Sequence, residues 1–297
     1  MQLDRDIFRQ VATMRLTSPQ LADGPLQGDR RSPRKGRGVE FADYRPYTPG
    51  DDLRLVDWNV FGRLELLLVR LFHEDLNMAI KVFVDASASM DFGEPRKADH
   101  AASLAACVAL VGLLNQDTVT LGCLGGDGPK SEARGQNSRA FGHMLALLEQ
   151  VEPAGQVPIY KELQARAGRR KKADRTFLVS DMLQPQEEVE RTLRVLAATS
   201  QAPVLLHVLS PEELEPDLSD MQRVTDSETG EEILITGGRE AEEQYQTILD
   251  EWLQLLRGRC RRLGIQYLPI STKESVADAL LGLMRRAGVT QSAVGAA

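Results

Sequence analysis

From residue 65 onward, short apolar runs alternate with segments whose apolar residues recur at helical spacing. ELLLVRLF (65–72) and MAIKVFVD (78–85) predict strands, because they are rich in β-branched and other apolar residues. Residues 95–115 predict the clearest helix, with Ala, Leu and Val at helical spacing and Pro95 near its start. A strand at 118–124, a Gly-rich stretch at 125–136 and a helix at 138–150 follow. Pro158 opens a short helix to about 167. RTFLVSD (175–181) reads as a buried strand, followed by a helix at 186–198 and the strand APVLLHVLS (202–210). A long helix at 240–262, the strand IQYLPI (265–270) and a helix at 275–287 complete the series. This order implies an α/β fold: a doubly wound, mostly parallel sheet covered on both faces.

The remaining segments break that rhythm. Residues 3–16 predict a short helix with Leu3, Ile7, Val11 and Met14 on one side. Ser18 to Gly38 is too rich in Gly, Pro and Arg for regular structure. Residues 39–59, VEFADYRPYTPGDDLRLVDWN, combine Tyr44, Tyr47 and Trp58 with paired charges and a Pro49-Gly50 turn. That composition suits packing in a fixed shape, with Trp58 largely buried. RVTDSETGEEILI reads as a β-hairpin around Glu228-Thr229-Gly230, a small insertion within 211–238. The expected organisation is an N-terminal extension (1–76) packed on the core, an α/β domain (77–290) carrying that insertion, and a flexible tail (291–297).

Composition narrows the function classes. The chain has 297 residues, 42% hydrophobic and 27% charged, enough for a sizeable core. A net charge of −7 and a pI near 5.3 disfavour a general nucleic-acid binder. The basic runs DRRSPRKGRG and RRKK (169–172) then read as solvated loops. The longest apolar run, Ala101–Leu114, is interrupted by Ser103 and Gly112 and falls short of the roughly 18 to 20 residues that span a bilayer. The first ten residues show no apolar signal segment. Cys107, Cys123 and Cys260 are far apart in sequence and read as core residues. A cytoplasmic location is the expectation.

Two strands end in aspartate, and the chemistry gathers there. KVFVD leads into DASASM, placing Asp85, Ser87 and Ser89 at D-x-S-x-S spacing, and TFLVSD ends at Asp181. In an open parallel sheet, ligands bind beyond the carboxyl ends of the strands, where the strand order reverses. Oxygens gathered on a tight loop suit a hard cation such as Mg²⁺. The plainer alternative is that Asp85 and the serines cap the following helix. Other patterns carry little. GDGPKSEA (126–133) lacks the spacing of a phosphate loop, and Ser180 lacks a nucleophile-elbow frame. His73, His100, His143 and His207 have no partners at zinc spacing, and His207 in an apolar strand reads as a satisfied core residue.

KVFVDASASM, followed about a hundred residues on by LVSDM, resembles the metal-ion-dependent adhesion site of von Willebrand factor A domains. GDRRSPRKGRGVEF, YRPYTPGDDLRLVDWN, LLLVRLFHED, VTDSETGEEI and GIQYLPISTKESVADALLGLM resemble the bacterial family called domain of unknown function 58. The likeness covers roughly residues 20–287. It implies a von Willebrand factor A-like, Rossmann-like fold with Asp85, Ser87, Ser89 and Asp181 as metal-site residues, the aspartates acting mainly through water. The threonine of the family's middle motif is replaced by Val157, which has no ligand oxygen, and Arg30 replaces an upstream histidine. The implied Mg²⁺ is therefore weakly bound or absent.

The resemblance implies a non-enzymatic binding or adaptor module working with a MoxR-type AAA+ ATPase in assembling or activating other complexes. Ser87, Ser89, Val157 and Asp181 are its expected partner-binding residues. Two rivals remain open: a metal-dependent hydrolase using Asp85 and Asp181, and a structural scaffold with a vestigial metal site.

Overall fold

Alternate residues of each central strand serve opposite sides of one sheet. The computed structural model describes residues 14–16, 39–74, 77–128, 132–156, 158–166, 172–217, 222–225, 232–235, 238–286 and 290–292. Residues 3–13 of the helix expected at 3–16, Arg30, Val157, the hairpin turn at 228–230 and residues 293–297 lie outside them. The chain forms two units, residues 24–77 and a larger one of 1–23 with 78–297.

In chain order, the larger unit contains β1 (Met14–Leu16), β4 (Ala79–Asp85), α2 (Lys97–Leu114), β5 (Thr118–Leu124), β6 (Glu132–Gly135), α3 (Phe141–Glu149) and α4 (Ile159–Arg166). It continues with β7 (Ala173–Ser180), α5 (Gln186–Thr199), β8 (Ser200–Leu209), α6 (Pro211–Leu214), β9 (Gln222–Thr225) and β10 (Glu232–Ile235). Last come α7 (Arg239–Arg262), β11 (Gln266–Ser271), α8 (Val276–Arg286) and β12 (Thr290–Ser292). The six-stranded sheet runs β11-β8-β7-β4-β5-β6. β4, β5, β7, β8 and β11 are parallel to their neighbours among these five, and the edge strand β6 is antiparallel to β5. From β4 the chain moves outward through β5, while β7, β8 and β11 build the other way. The order therefore reverses between β4 and β7.

The pleat explains the doubly wound core. Ile80, Val82 and Val84 of β4 join Phe177 and Val179 of β7 in a cluster with Leu104, Val108 and Val111 of α2. Phe83 and Leu178, one residue out of phase, join a second cluster with Leu163 of α4, Leu193 of α5 and Leu256 of α7. Each face thus buries its own stripe. α2 approaches the sheet closely at Gly112, where a Cβ would sit 2.7 Å from Val119 and 2.9 Å from Ile80. By length and composition its 18 residues just reach a membrane-crossing helix, longer than the run expected from sequence, yet 72% of them are buried inside the protein. It is the core helix of this unit.

Three expectations need correction. Met14–Leu16, placed in a helix by its spacing, is instead a strand paired antiparallel with Thr290–Ser292, which runs into the segment expected as tail. The Gly-rich stretch contains β6. Periodicity cannot reveal strands of three or four residues whose partners are distant or at an edge. The expected hairpin is present as β9 and β10, which pair antiparallel.

The smaller unit consists of β2 (Val39–Pro46), α1 (Trp58–Leu64) and β3 (Leu68–Glu74), with β2 and β3 antiparallel. Its charges organise local structure. Asp51 accepts both Arg45 nitrogens at 2.7 and 2.6 Å and the Thr48 amide at 2.8 Å. Asp57 caps α1 through the Asn59 and Val60 amides, and also accepts Tyr44 Oη at 2.8 Å. The fixed shape expected of residues 39–59 is therefore present. Trp58 is not largely buried: it is 55% exposed, edge-on to Phe61. Its place in the first turn of α1, none of whose residues is buried, leaves the ring in solvent.

Trp58→Ala should therefore change unfolding free energy by no more than about 0.5 kcal/mol. Phe83→Ala, at a fully buried position, should cost about 3–5 kcal/mol in the same denaturant titrations. A second expectation concerns Asp117, whose Oδ1 accepts the Met78 amide at 2.8 Å while Oδ2 has no hydrogen-bond partner among the described residues. Burial first, then the charge of Asp174, push its carboxyl up to about 6. A raised carboxyl favours the protonated native state, so its contribution to stability is lost as pH rises from about 4 through about 6. Melting temperatures across that window should fall in the parent chain and fall less in Asp117→Asn.

Candidate functional site

β4 and β7 lie side by side and parallel, so Asp85 and Asp181 stand at neighbouring strand ends where the strand order reverses. The pleat then separates their side chains. Asp85 continues the phase of Phe83, and Ser180 that of Leu178, so the two meet on one face, with Ser180 Oγ donating to Asp85 Oδ2 at 2.6 Å. Asp181 continues the phase of Phe177 and Val179, toward the side covered by α2. There Lys97 Nζ donates to Asp181 Oδ2 at 2.7 Å.

Backbone bonds fix the loop after β4. Ala86 N donates to Leu124 O, Ala88 N to Gly155 O, and Ala154 N to Ala86 O, which ties the D-x-S-x-S loop to the turn preceding Val157. Asp85 Oδ1 accepts the Ser87 amide at 2.9 Å, and the Ser87 and Ser89 hydroxyls lie 3.1 Å apart. Asp85, Ser87, Ser89 and Asp181 are all buried, at 2%, 2%, 4% and 1% exposure.

Sequence reasoning missed the cation at this site. Lys97 opens α2, is completely buried, and pairs with both Asp181 and Glu213. A positive charge in the first turn of a helix opposes the helix dipole. That local conflict, eight residues after the last serine of D-x-S-x-S, was the available signal. Glu213 was hidden for another reason: its capping box with Ser210 accounts for its presence. Its Oε2 accepts the Ser210 amide at 2.8 Å, leaving Oε1 for Lys97.

Electrostatics follow from burial. Asp85 is pushed up to about 7 by burial and then by the negative charge of Asp181, against the pull of its Ser180 and Ser87 donors. Burial alone would lower the Lys97 ammonium, but the charges of Asp181 and Glu213 outweigh it and raise its pKa. His207, expected as a satisfied core residue, is one: burial lowers it to about 4, so it is neutral. Its Nε2 lies 2.8 Å from the Asp181 carbonyl oxygen, which can only accept, so Nε2 carries the proton and Nδ1 accepts from Tyr267 Oη. The cysteines are buried and free, as expected.

The carboxylates expected at a divalent ion of the adhesion-site kind are engaged with donors from the protein itself. All four carboxylate oxygens of Asp85 and Asp181 already accept a donor: the Ser87 amide, Ser180 Oγ, Lys97 Nζ and, at 3.1 Å, the Leu183 amide. The two aspartates share none of these, and a metal beside Asp181 would face the ammonium. Among the described residues, no group of three or more His, Cys, Asp or Glu side chains is arranged to hold a metal. Phe92 and Leu183, on the loops flanking the cluster, are 46% and 45% exposed. The Phe92 ring centroid lies 5.6 Å from Lys97 Nζ.

Residues 43–251 match the model of a family described as protein of unknown function DUF58. Uncharacterized proteins of Mycobacterium bovis (Mb1516) and Mycobacterium tuberculosis (Rv1480) are each 29% identical over 233 residues, 76% of this chain and 73% of theirs. Among solved structures, the conserved hypothetical protein BatB from Bacteroides thetaiotaomicron aligns with 70% of this chain and 97% of its own, at 14% identity and a TM-score of 0.41. An aerotolerance-related membrane protein from Bacteroides fragilis aligns with 70% and 98%, at 15% identity and a TM-score of 0.40.

Removing one partner of the buried pair strands the other charge. Asp181→Ala should therefore cost about 3–5 kcal/mol by denaturant unfolding. The Asp181→Ala/Lys97→Met double variant should lose clearly less than the sum of the single losses, the mark of direct coupling. Additive losses would contradict the pairing.

Proposed function

The chain belongs to the DUF58 family, and from that premise we propose that it is a cytoplasmic, non-enzymatic protein-binding adaptor whose contact surface is the carboxyl edge of the sheet. The observation that carries this reading is the pair Phe92 and Leu183, half exposed on either side of a buried and internally satisfied ion cluster. Apolar side chains held outward by a rigid polar base suit capture of a protein surface, because their desolvation supplies affinity without ordering the loops anew. Leu183 is fixed through its amide on Asp181, and Phe92 lies over the Lys97 ammonium. Ser87, Ser89 and Asp181 are then the foundation of the surface, since a partner cannot reach side chains with so little exposure. The same burial weighs against hydrolysis, which needs a carboxylate free to meet water or substrate.

The partner we propose is a MoxR-type AAA+ ATPase, as the family resemblance implies, with Mg²⁺ bound weakly or not at all. Affinity capture at native expression level, repeated with EDTA, should recover an AAA+ ATPase equally under both conditions. The Phe92→Ala/Leu183→Ala variant should recover roughly tenfold less or weaker still, the scale of losing apolar anchors, while its melting temperature stays at the parent value. Undiminished recovery by that variant would remove this edge as the contact surface.

A further inference from the structure

We infer that the chain carries its own cation: the Lys97 ammonium performs the structural task that a divalent ion performs at sites of this layout, holding the loops at the carboxyl edge together. An ion at such a site joins segments from different parts of the chain through one centre of positive charge. Lys97 does the same from α2. Its Nζ donates to Asp181, on the loop after β7, at 2.7 Å and to Glu213 in α6 after β8. Both carboxylates are anchored a second time, Asp181 by the Leu183 amide and Glu213 by the Ser210 amide. The neighbouring backbone is drawn equally close. A Cβ on Gly93 would lie 2.5 Å from Ser210 Cβ, and the Glu94 amide donates to Glu212 Oε1 at 3.2 Å. Three elements thus converge on one ammonium with no exposed surface.

The position of Lys97 supports this assignment. A lysine in the first turn of an apolar helix gains nothing from the helix dipole and loses its hydration. Among the described residues the two carboxylates compensate it, with the Phe92 ring 5.6 Å from the ammonium. Sequence is consistent with the exchange, since Val157 supplies no oxygen where the resemblance expects a ligand. Loop geometry here then depends on neither divalent ions nor chelators. The inference concerns the protein alone and does not depend on which partner, if any, the edge takes.

Mn²⁺ binding followed by electron paramagnetic resonance, with thermal melts in EDTA and in MgCl₂, tests it on the full chain. The parent protein should leave the free-Mn²⁺ signal unchanged and melt at one temperature in both buffers. Lys97→Met should melt lower in EDTA, recover in MgCl₂, and take up Mn²⁺ in a manner abolished by adding Asp181→Ala. Uptake of Mn²⁺ by the parent, lost in Asp85→Ala, would overturn the inference. So would a folded Lys97→Met that gains no ion. If Lys97→Met does not fold in EDTA, folding restored by MgCl₂ supports the inference. If neither it nor Lys97→Gln folds even with MgCl₂, a divalent ion cannot take the place of the ammonium, and the inference fails.

Discussion

A lysine ammonium stripped of all its water is tolerable only where opposite charge meets it at hydrogen-bond distance, and the carboxyl edge of this sheet is organised around that requirement. Lys97 is completely buried, with Asp181 and Glu213 as its acceptors. Each acceptor is positioned by a separate element and held by a backbone amide. α2 must therefore start at one place over the sheet, β7 must end where its next residue faces α2, and α6 must turn back toward both. The capping box of α6 gives Glu213 a second role, because one of its oxygens closes the box and the other faces the lysine.

The sheet makes this convergence possible. Strand order reverses between β4 and β7, and the two-residue pleat sorts the side chains at their carboxyl ends. Asp85 and Ser180 fall on one face and bond to each other, while Asp181 falls on the other and meets Lys97. Two aspartates at adjacent strand ends thus end with separate partners. The exposed Phe92 and Leu183 stand on loops whose geometry these two networks set.

Residues 39–74 follow a more local logic. Asp51, Asp52 and Asp57 serve as turn and helix caps, and Arg45 and Tyr44 close rings back onto them. Short-range hydrogen bonds of this kind explain the charge-rich composition of the segment. They do not require burial of its aromatic residues, and Trp58 remains exposed.

The sequence by itself determined the alternating strands and helices, the mostly parallel sheet, the strand-end positions of Asp85 and Asp181, and the family. The elements, the sheet and the strand ends depend on residue spacing along one stretch of chain, which the periods of helix and strand translate directly into structure, and the family on the motifs that resemble it. The β1–β12 pair and the edge strand β6 were illegible, because each is too short to show a period and depends on its partner strand. Exposure of Trp58 was illegible because composition reports what a side chain favours and not what lies beside it. Above all, only the tertiary structure decided the character of the site. Lys97 and Glu213 are more than a hundred residues apart in sequence, and each looks ordinary in its own segment. Their meeting with Asp181 is a product of sheet order, pleat phase and helix placement together, and it joins one of the expected site residues to a buried lysine.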